Sequence, residues 1–175
     1  DGGLYPIPVW TPKGGFVLDR PMVFAIMRQE SAFRATATSP AGARGLMQLM
    51  PATASWMAKD RSLRRKNVDK LYDPLFNIHL GQSFFALLLR QPGIRNNLFF
   101  AISAYNAGEG NLNKWKVRGD PLLFIEAIHL RETRLYVERV MYNLWAYRIR
   151  LGQKPKSLEA LAKDEWPRYV AQEAK

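Results

Sequence analysis

Beyond residue 15, apolar positions recur along the chain mostly at helical rather than alternating spacing. In Pro21 to Phe33 (PMVFAIMRQESAF), Val23, Ile26, Met27 and Phe33 fall on one face of a helix. Leu75 to Arg90 and Leu98 to Ala107 are apolar on most faces, which predicts two helices sunk in a core and joined by a turn at Pro92 and Gly93. Periodicity alone leaves buried strands open for such runs, but their length and their Leu, Ala and Gln content favour helix. A long helix is predicted from Glu132 to Leu151, with Val137, Val140, Met141, Leu144, Trp145 and Ile149 as its buried stripe and Gly152 as its stop. A short helix over Ser157 to Lys163 completes an all-α reading.

The first fifteen residues, DGGLYPIPVWTPKGG, hold three prolines and four glycines, a composition for an extended segment rather than a helix or a central strand. The expected organisation is a strap or linker over 1–15 and one domain over 16–175, with no internal repeat. Asp19, Asp73 and Asp120 each precede a proline by one or two residues, so each is expected to cap a helix whose first turn accepts proline.

Length and composition agree with one core, since 175 residues at 47% hydrophobic suffice for one and do not promise two. The formal net charge of +11 changes the picture more, because it calls for an anionic partner: nucleic acid, anionic lipid or an acidic wall polymer. The basic residues are dispersed and no nucleic-acid motif accompanies them, so nucleic acid is not expected. Arg61, Arg64, Arg65 and Lys66 read as a solvated surface, or as a patch that attracts acidic groups of a ligand. With no cysteine, disulfides, thiolate metal sites and a cysteine nucleophile are excluded. His79 and His129 lack the close spacing of a helical metal pair, so neither a metal nor another cofactor is expected. No apolar run reaches the roughly 18 to 20 residues of a transmembrane segment, and no secretion signal is visible. The chain opens at Asp1 rather than Met and reads as a processed protein or an excised domain, with any upstream domain or envelope partner unknown.

Among the carboxylates, Glu30 has an unusual place. It stands seven residues after Val23, four after Ile26, three after Met27 and three before Phe33, which on a helix aims it at the apolar side. A glutamate there is expected to hold its proton more readily than one in water, as a general acid must. The alternative is an outward Glu30 paired with Arg34, a contact of about 0.2–0.5 kcal/mol on an exposed helix. Periodicity alone does not choose between the two.

Three further segments follow. ESAF (Glu30 to Phe33) is succeeded by GLMQ (Gly45 to Gln48) within SPAGARGLMQLMP, by AYN (Ala104 to Asn106), and by FIEAIHLRETRLYVERV (Phe124 to Val140). Each is weak alone; in this order, over roughly residues 20–150, they closely resemble the lytic transglycosylases of the soluble type. The resemblance implies a lysozyme-like helical domain of the goose-type lysozyme kind, with a groove for peptidoglycan glycan strands and a periplasmic location. It implies Glu30 as sole catalytic acid and base, cleaving the β-1,4 bond between N-acetylmuramic acid and N-acetylglucosamine. The sugar's own 6-hydroxyl then attacks, leaving a 1,6-anhydro end. One carboxylate suffices if the substrate's N-acetyl group stabilises the developing positive charge. A hydrolytic, lysozyme-type muramidase and a non-catalytic wall-binding module remain the alternatives; Glu30 beside GLMQ and AYN argues against the second.

The resemblance also implies supporting roles. Tyr105 would orient the Glu30 carboxylate, against the alternative of a core tyrosine. Gln48 would donate to and accept from sugar groups in the groove. Met47 would offer apolar surface to an acetamido methyl or ring, or simply pack in the core. Ser31 and Ser39 would hydrogen-bond near the cleavage site, with helix and turn chemistry as their alternatives. Asn106 would touch substrate, cap its helix, or do both. Glu132 and Tyr136, four apart, would face substrate, although Glu132 also suits a helix's first turn. Two departures from the family pattern are Glu109, where many relatives have proline after AYNAG, and Arg34-Ala35 in place of a common Asn-Pro. Both put loop conformation in question and neither touches the acid.

Overall fold

The computed structural model describes residues 3–115 and 119–173. Asp1 and Gly2 of the strap, and residues 116–118 and 174–175 of the expected domain, lie outside the described residues. The described residues hold eight α-helices and no extended strand: α1 (Arg20–Ser31), α2 (Pro51–Ala58), α3 (Pro74–Arg90), α4 (Leu98–Ala107), α5 (Glu109–Trp115), α6 (Pro121–Ala127), α7 (Arg131–Arg150) and α8 (Lys156–Leu161). Two 3-10 turns, Arg61–Arg64 and Val68–Tyr72, lie between α2 and α3. The chain divides into two compact units at Phe84 and Phe85, inside α3.

In the first unit, residues 3–19 form neither helix nor strand. Gln82 of α3, fully buried, accepts from Val17 N (2.9 Å) and donates to Gly15 O (3.0 Å), tying the end of this segment down. α1 starts with Pro21 in its first turn, where a missing amide hydrogen costs nothing. Every residue from Pro21 to Met27 is buried, so the helix is enclosed all round rather than along the one face its apolar spacing predicts. Phe33 also departs from that face. α1 stops at Ser31, and Ala32 and Phe33 follow with φ of 49° and 64°, which swings Phe33 off the helix.

The aspartate caps divide. Asp73 Oδ1 accepts from Phe76 N at 2.7 Å, and Asp120 Oδ1 accepts from Leu122 N and Leu123 N at 2.8 and 3.2 Å. Asp19 is buried and its side chain makes no cap bond; its backbone carbonyl accepts from Met22 N and Val23 N instead. α2 and the 3-10 turns were not foreseen. They enclose a cluster of Leu49, Ala54, Leu63, Leu71 and Leu80, each leucine of which contributes about 1.5–3 kcal/mol by leaving water.

In the second unit α4 packs against α5 and α7. Its N-cap Asn97 accepts from Phe100 N (3.3 Å), and Phe100 stands edge-on to Phe124 of α6 and to Trp166, with centroids 4.9 and 5.1 Å apart. α7 buries Val137, Val140, Met141 and Leu144 as its spacing requires, but Ile149 is 64% exposed and Trp145 half-buried. The stripe continues through Arg148, four residues after Leu144, since each step turns the helix by about 100° and Ile149 passes beyond the buried sector. Arg148 Nη2 donates to Val170 O at 3.0 Å and Nη1 to Gln153 Oε1, which replaces the hydration that a buried guanidinium loses. α7 ends before Gly152, whose φ of +70° and bond to Ile149 O reverse the chain.

Candidate active site

Glu30 stands half-buried in the last turn of α1. The next residue, Ser31, is buried; its hydroxyl lies 2.8 Å from Leu46 O and 3.1 Å from Met27 O, so its one hydrogen is shared with the shorter contact across the fold. Ser31 thus clasps the end of α1 to the GLMQ segment. Arg34 lies beyond the helix and its Nε donates to Ser31 O at 3.3 Å, so the i,i+4 helical geometry assumed for a Glu30–Arg34 pair is absent.

The GLMQ loop is held from α3 by one amide. Asn77 is fully buried; its Oδ1 accepts from Met47 N (2.8 Å), and its Nδ2 donates to Leu71 O (2.8 Å) and Arg44 O (2.9 Å). Gly45 has φ +80°, and a Cβ there would sit 2.2 Å from Leu71 O and 2.3 Å from Asn77 Nδ2, so only glycine fits. Met47 is fully buried, and a Cβ on Gly81 would lie 2.5 Å from its Sδ, so the core-packing alternative describes its placement. Gln48, half-buried at φ 47°, donates its amide hydrogens to Gly45 O (2.9 Å) and Ala37 O (3.1 Å). Both of these bonds are made by the amide nitrogen to carbonyls of its own loop.

Ser39 Oγ accepts from Ala43 N at 3.0 Å, which is turn chemistry. On the same loop Arg44 Nη1 donates to Asp69 Oδ1 (3.0 Å) and to Tyr72 OH (2.9 Å), and Thr38 Oγ1 bonds the same phenol at 2.7 Å. The first unit therefore sets the end of α1, with Glu30 and Ser31, against the loop that carries Met47 and Gln48, and buried Asn77 holds that loop through Met47 N and Arg44 O. Asn77 was not among the expected site residues. Its only signal is a polar side chain amid the apolar run LFNIHL, between Phe76 and Ile78.

In the second unit Tyr105 is half-buried on α4, edge-on to Phe85 with centroids 5.8 Å apart. Asn106 Oδ1 accepts from Thr133 Oγ1 at 2.8 Å, joining α4 to the first turn of α7, while the backbone Gly108 N closes α4 on Ala104 O. Glu132 is exposed in the first turn of α7, and Tyr136, one turn further on, is 5% exposed. Glu109 begins α5, the short helix that follows AYNAG. His129 Nδ1 accepts from Trp115 Nε1 at 2.9 Å.

These elements recur in solved proteins. The 70-kDa soluble lytic transglycosylase of Escherichia coli matches with a TM-score of 0.74 at 37% identity, covering 90% of this chain and 25% of that one. Lytic transglycosylase Slt of Pseudomonas aeruginosa, solved as an inactive mutant, matches with a TM-score of 0.70 at 34% identity, covering 89% and 25%. The fold class is therefore the all-α, lysozyme-like one expected. The soluble lytic murein transglycosylase of Salmonella typhimurium (strain LT2) is 42% identical over 150 residues, which are 82% of this chain and 22% of that protein. The transglycosylase SLT domain model matches residues 13–121, which hold ESAF, GLMQ and AYN, and the chain belongs to that family. It spans about a quarter or less of the length of these relatives. Glu132 and Tyr136 lie outside the matched residues.

Proposed function

We propose that this chain is the catalytic domain of a peptidoglycan lytic transglycosylase, with residues 16–175 as the domain and 1–15 as a strap. The observation that carries the reading is Glu30 of ESAF, half-buried at the end of α1, with Ser31 bonded to Leu46 O of GLMQ inside the family-matched segment. A carboxylate on a rigid helix end, beside a loop fixed by a buried amide, suits a reaction that needs one proton donor in one place.

In this reading Glu30 protonates the glycosidic oxygen between N-acetylmuramic acid and N-acetylglucosamine as the bond breaks. The muramoyl N-acetyl oxygen stabilises the anomeric carbon. Glu30, now a carboxylate, takes the proton from the 6-hydroxyl as that oxygen attacks, and the 1,6-anhydro ring closes. Gln48 accepts from a sugar hydroxyl or acetamido N–H, Met47 shapes the loop from the core, and Ser31 and Ser39 hold loop backbone. Tyr105, Asn106, Glu132 and Tyr136 keep the orienting and substrate-facing roles that the family resemblance implies. No described helix is long and apolar enough to cross a membrane. The murein named in the relatives' descriptions supports action in the periplasm.

The test is mass spectrometry of purified peptidoglycan digested by the chain and by Glu30→Gln, which keeps the shape and cannot cycle a proton. Anhydro-ended muropeptides from the parent chain alone are expected. Reducing ends instead would establish hydrolysis, and equal release by both proteins would remove Glu30 as the catalyst.

A further inference from the structure

A feature left unused by this chemistry lies where α2 runs into the 3-10 turn Arg61–Arg64. An open concavity of ≈ 1030 Å³ is walled there by Trp56, Lys59, Arg61, Arg64, Arg65 and Lys66. All five cations are exposed, and none makes an ion pair within 4.0 Å among the described residues. Asp60, the one acid between Lys59 and Lys66, is engaged by the Ser62 hydroxyl and by Ser62 N at 2.9 Å, which hold its carboxyl below the usual range. Trp56 is 59% exposed. Five like charges on one wall repel one another, and an anion in the concavity relieves that repulsion. Guanidinium forks match carboxylates in particular, and an exposed indole face matches the apolar face of a sugar ring.

We infer that this concavity is an accessory subsite for the peptide-substituted stretch of the glycan strand, its cations holding stem-peptide carboxylates and Trp56 a sugar ring. The inference rests on the peptidoglycan reading above. α2 leads into it directly from the GLMQ loop, and eight helical residues span about 12 Å, so a strand lying along Gln48 reaches it within a few sugars. A membrane-anchoring surface would project several apolar side chains from one helix face; here one aromatic residue sits in a recess among cations.

The experiment measures co-sedimentation of the whole chain with peptidoglycan sacculi in the Glu30→Gln background, with and without Arg61→Gln, Arg64→Gln and Arg65→Gln together. The triple variant is expected to bind sacculi about tenfold more weakly, from three exposed charge contacts, and Trp56→Ala severalfold more weakly. Binding by the unsubstituted surface is expected to weaken between 0.05 and 0.3 M salt, on the order of the screening of exposed charges. Glycan strands stripped of stem peptides should bind the parent and triple variant alike. With Glu30 restored, both should cleave stripped strands at the same rate. Equal affinity of parent and triple variant for sacculi, or an equal loss on stripped strands, would overturn the subsite. So would tighter binding to phosphatidylglycerol vesicles than to sacculi, lost in the triple variant. Failure of the parent to cleave stripped strands at all would overturn the functional reading together with it.

Discussion

Replacing Asn77 by alanine removes three hydrogen bonds at once and leaves Met47 N and Leu71 O without their side-chain partner, while Arg44 O keeps its bond from Leu49 N at 3.0 Å. The first two contacts are buried and the third partly so. A buried backbone group left unpaired costs about 1–3 kcal/mol, and one that water can reach costs less. Taking about 1.5 kcal/mol for each buried group and about 0.5 for the other, the expected loss is about 3–4 kcal/mol, a large part of the roughly 5–15 kcal/mol of a typical domain. With a urea m-value of about 2 kcal/mol/M, the unfolding midpoint should fall by about 1.5–2 M at unchanged slope. Asn77→Asp sharpens the test. Its ionised form still accepts from Met47 N but turns a charge on two carbonyl oxygens, so its folded pKa is raised above the unfolded value. The folded state then keeps its proton where the unfolded state has lost it. Relative to the parent chain, stability is fully present below the ordinary aspartate range and is lost as pH rises through the raised folded value. A change under about 1 kcal/mol for Asn77→Ala, or an Asn77→Asp variant that gains on the parent as pH rises, would refute the view that this amide holds the loop.

Two further outcomes follow from the same geometry. Gly45→Ala must place a Cβ 2.2 Å from Leu71 O at φ +80°, so a loss of at least about 3 kcal/mol, or roughly 6–12 °C in Tm, is expected by calorimetry. Because it displaces the same Asn77 amide, the double variant with Asn77→Ala should lose less than the sum of the two. Arg148→Leu keeps the buried volume near Leu144 but leaves Val170 O unpaired; a loss of about 2–3 kcal/mol in urea unfolding is expected, with faster proteolysis of the segment after Pro167.

Much of the helical frame was legible because it is written in local spacing. Leu98–Ala107 was expected and found residue for residue, and α3 and α7 came within a residue or so of their expected limits, since long apolar runs between proline, glycine and capping residues leave few other options. The short α2 and α5 were missed: α2 has almost no amphipathic contrast and α5 opens with Glu-Gly-Asn, so neither carries a periodic signal. ESAF, GLMQ and AYN pointed to the candidate site and its family through residue identity alone.

What the linear pattern did not hold was the destination of each polar group. Whether Asp19 caps its helix, whether Ser31 reaches a carbonyl fifteen residues away, and whether Met47 faces ligand or Gly81 depend on which backbone atoms arrive from elsewhere in the fold. Asn77 is the clearest case. In sequence it is one polar residue in an apolar helix; in the fold its amide meets a donor and two acceptors supplied by residues 44–47 and 71, because burial admits a polar side chain only where distant backbone satisfies it. Local spacing determined the longer helices and residue identity the motifs, and tertiary packing decided which side chains hold the loop that follows α1 and which remain to meet a ligand.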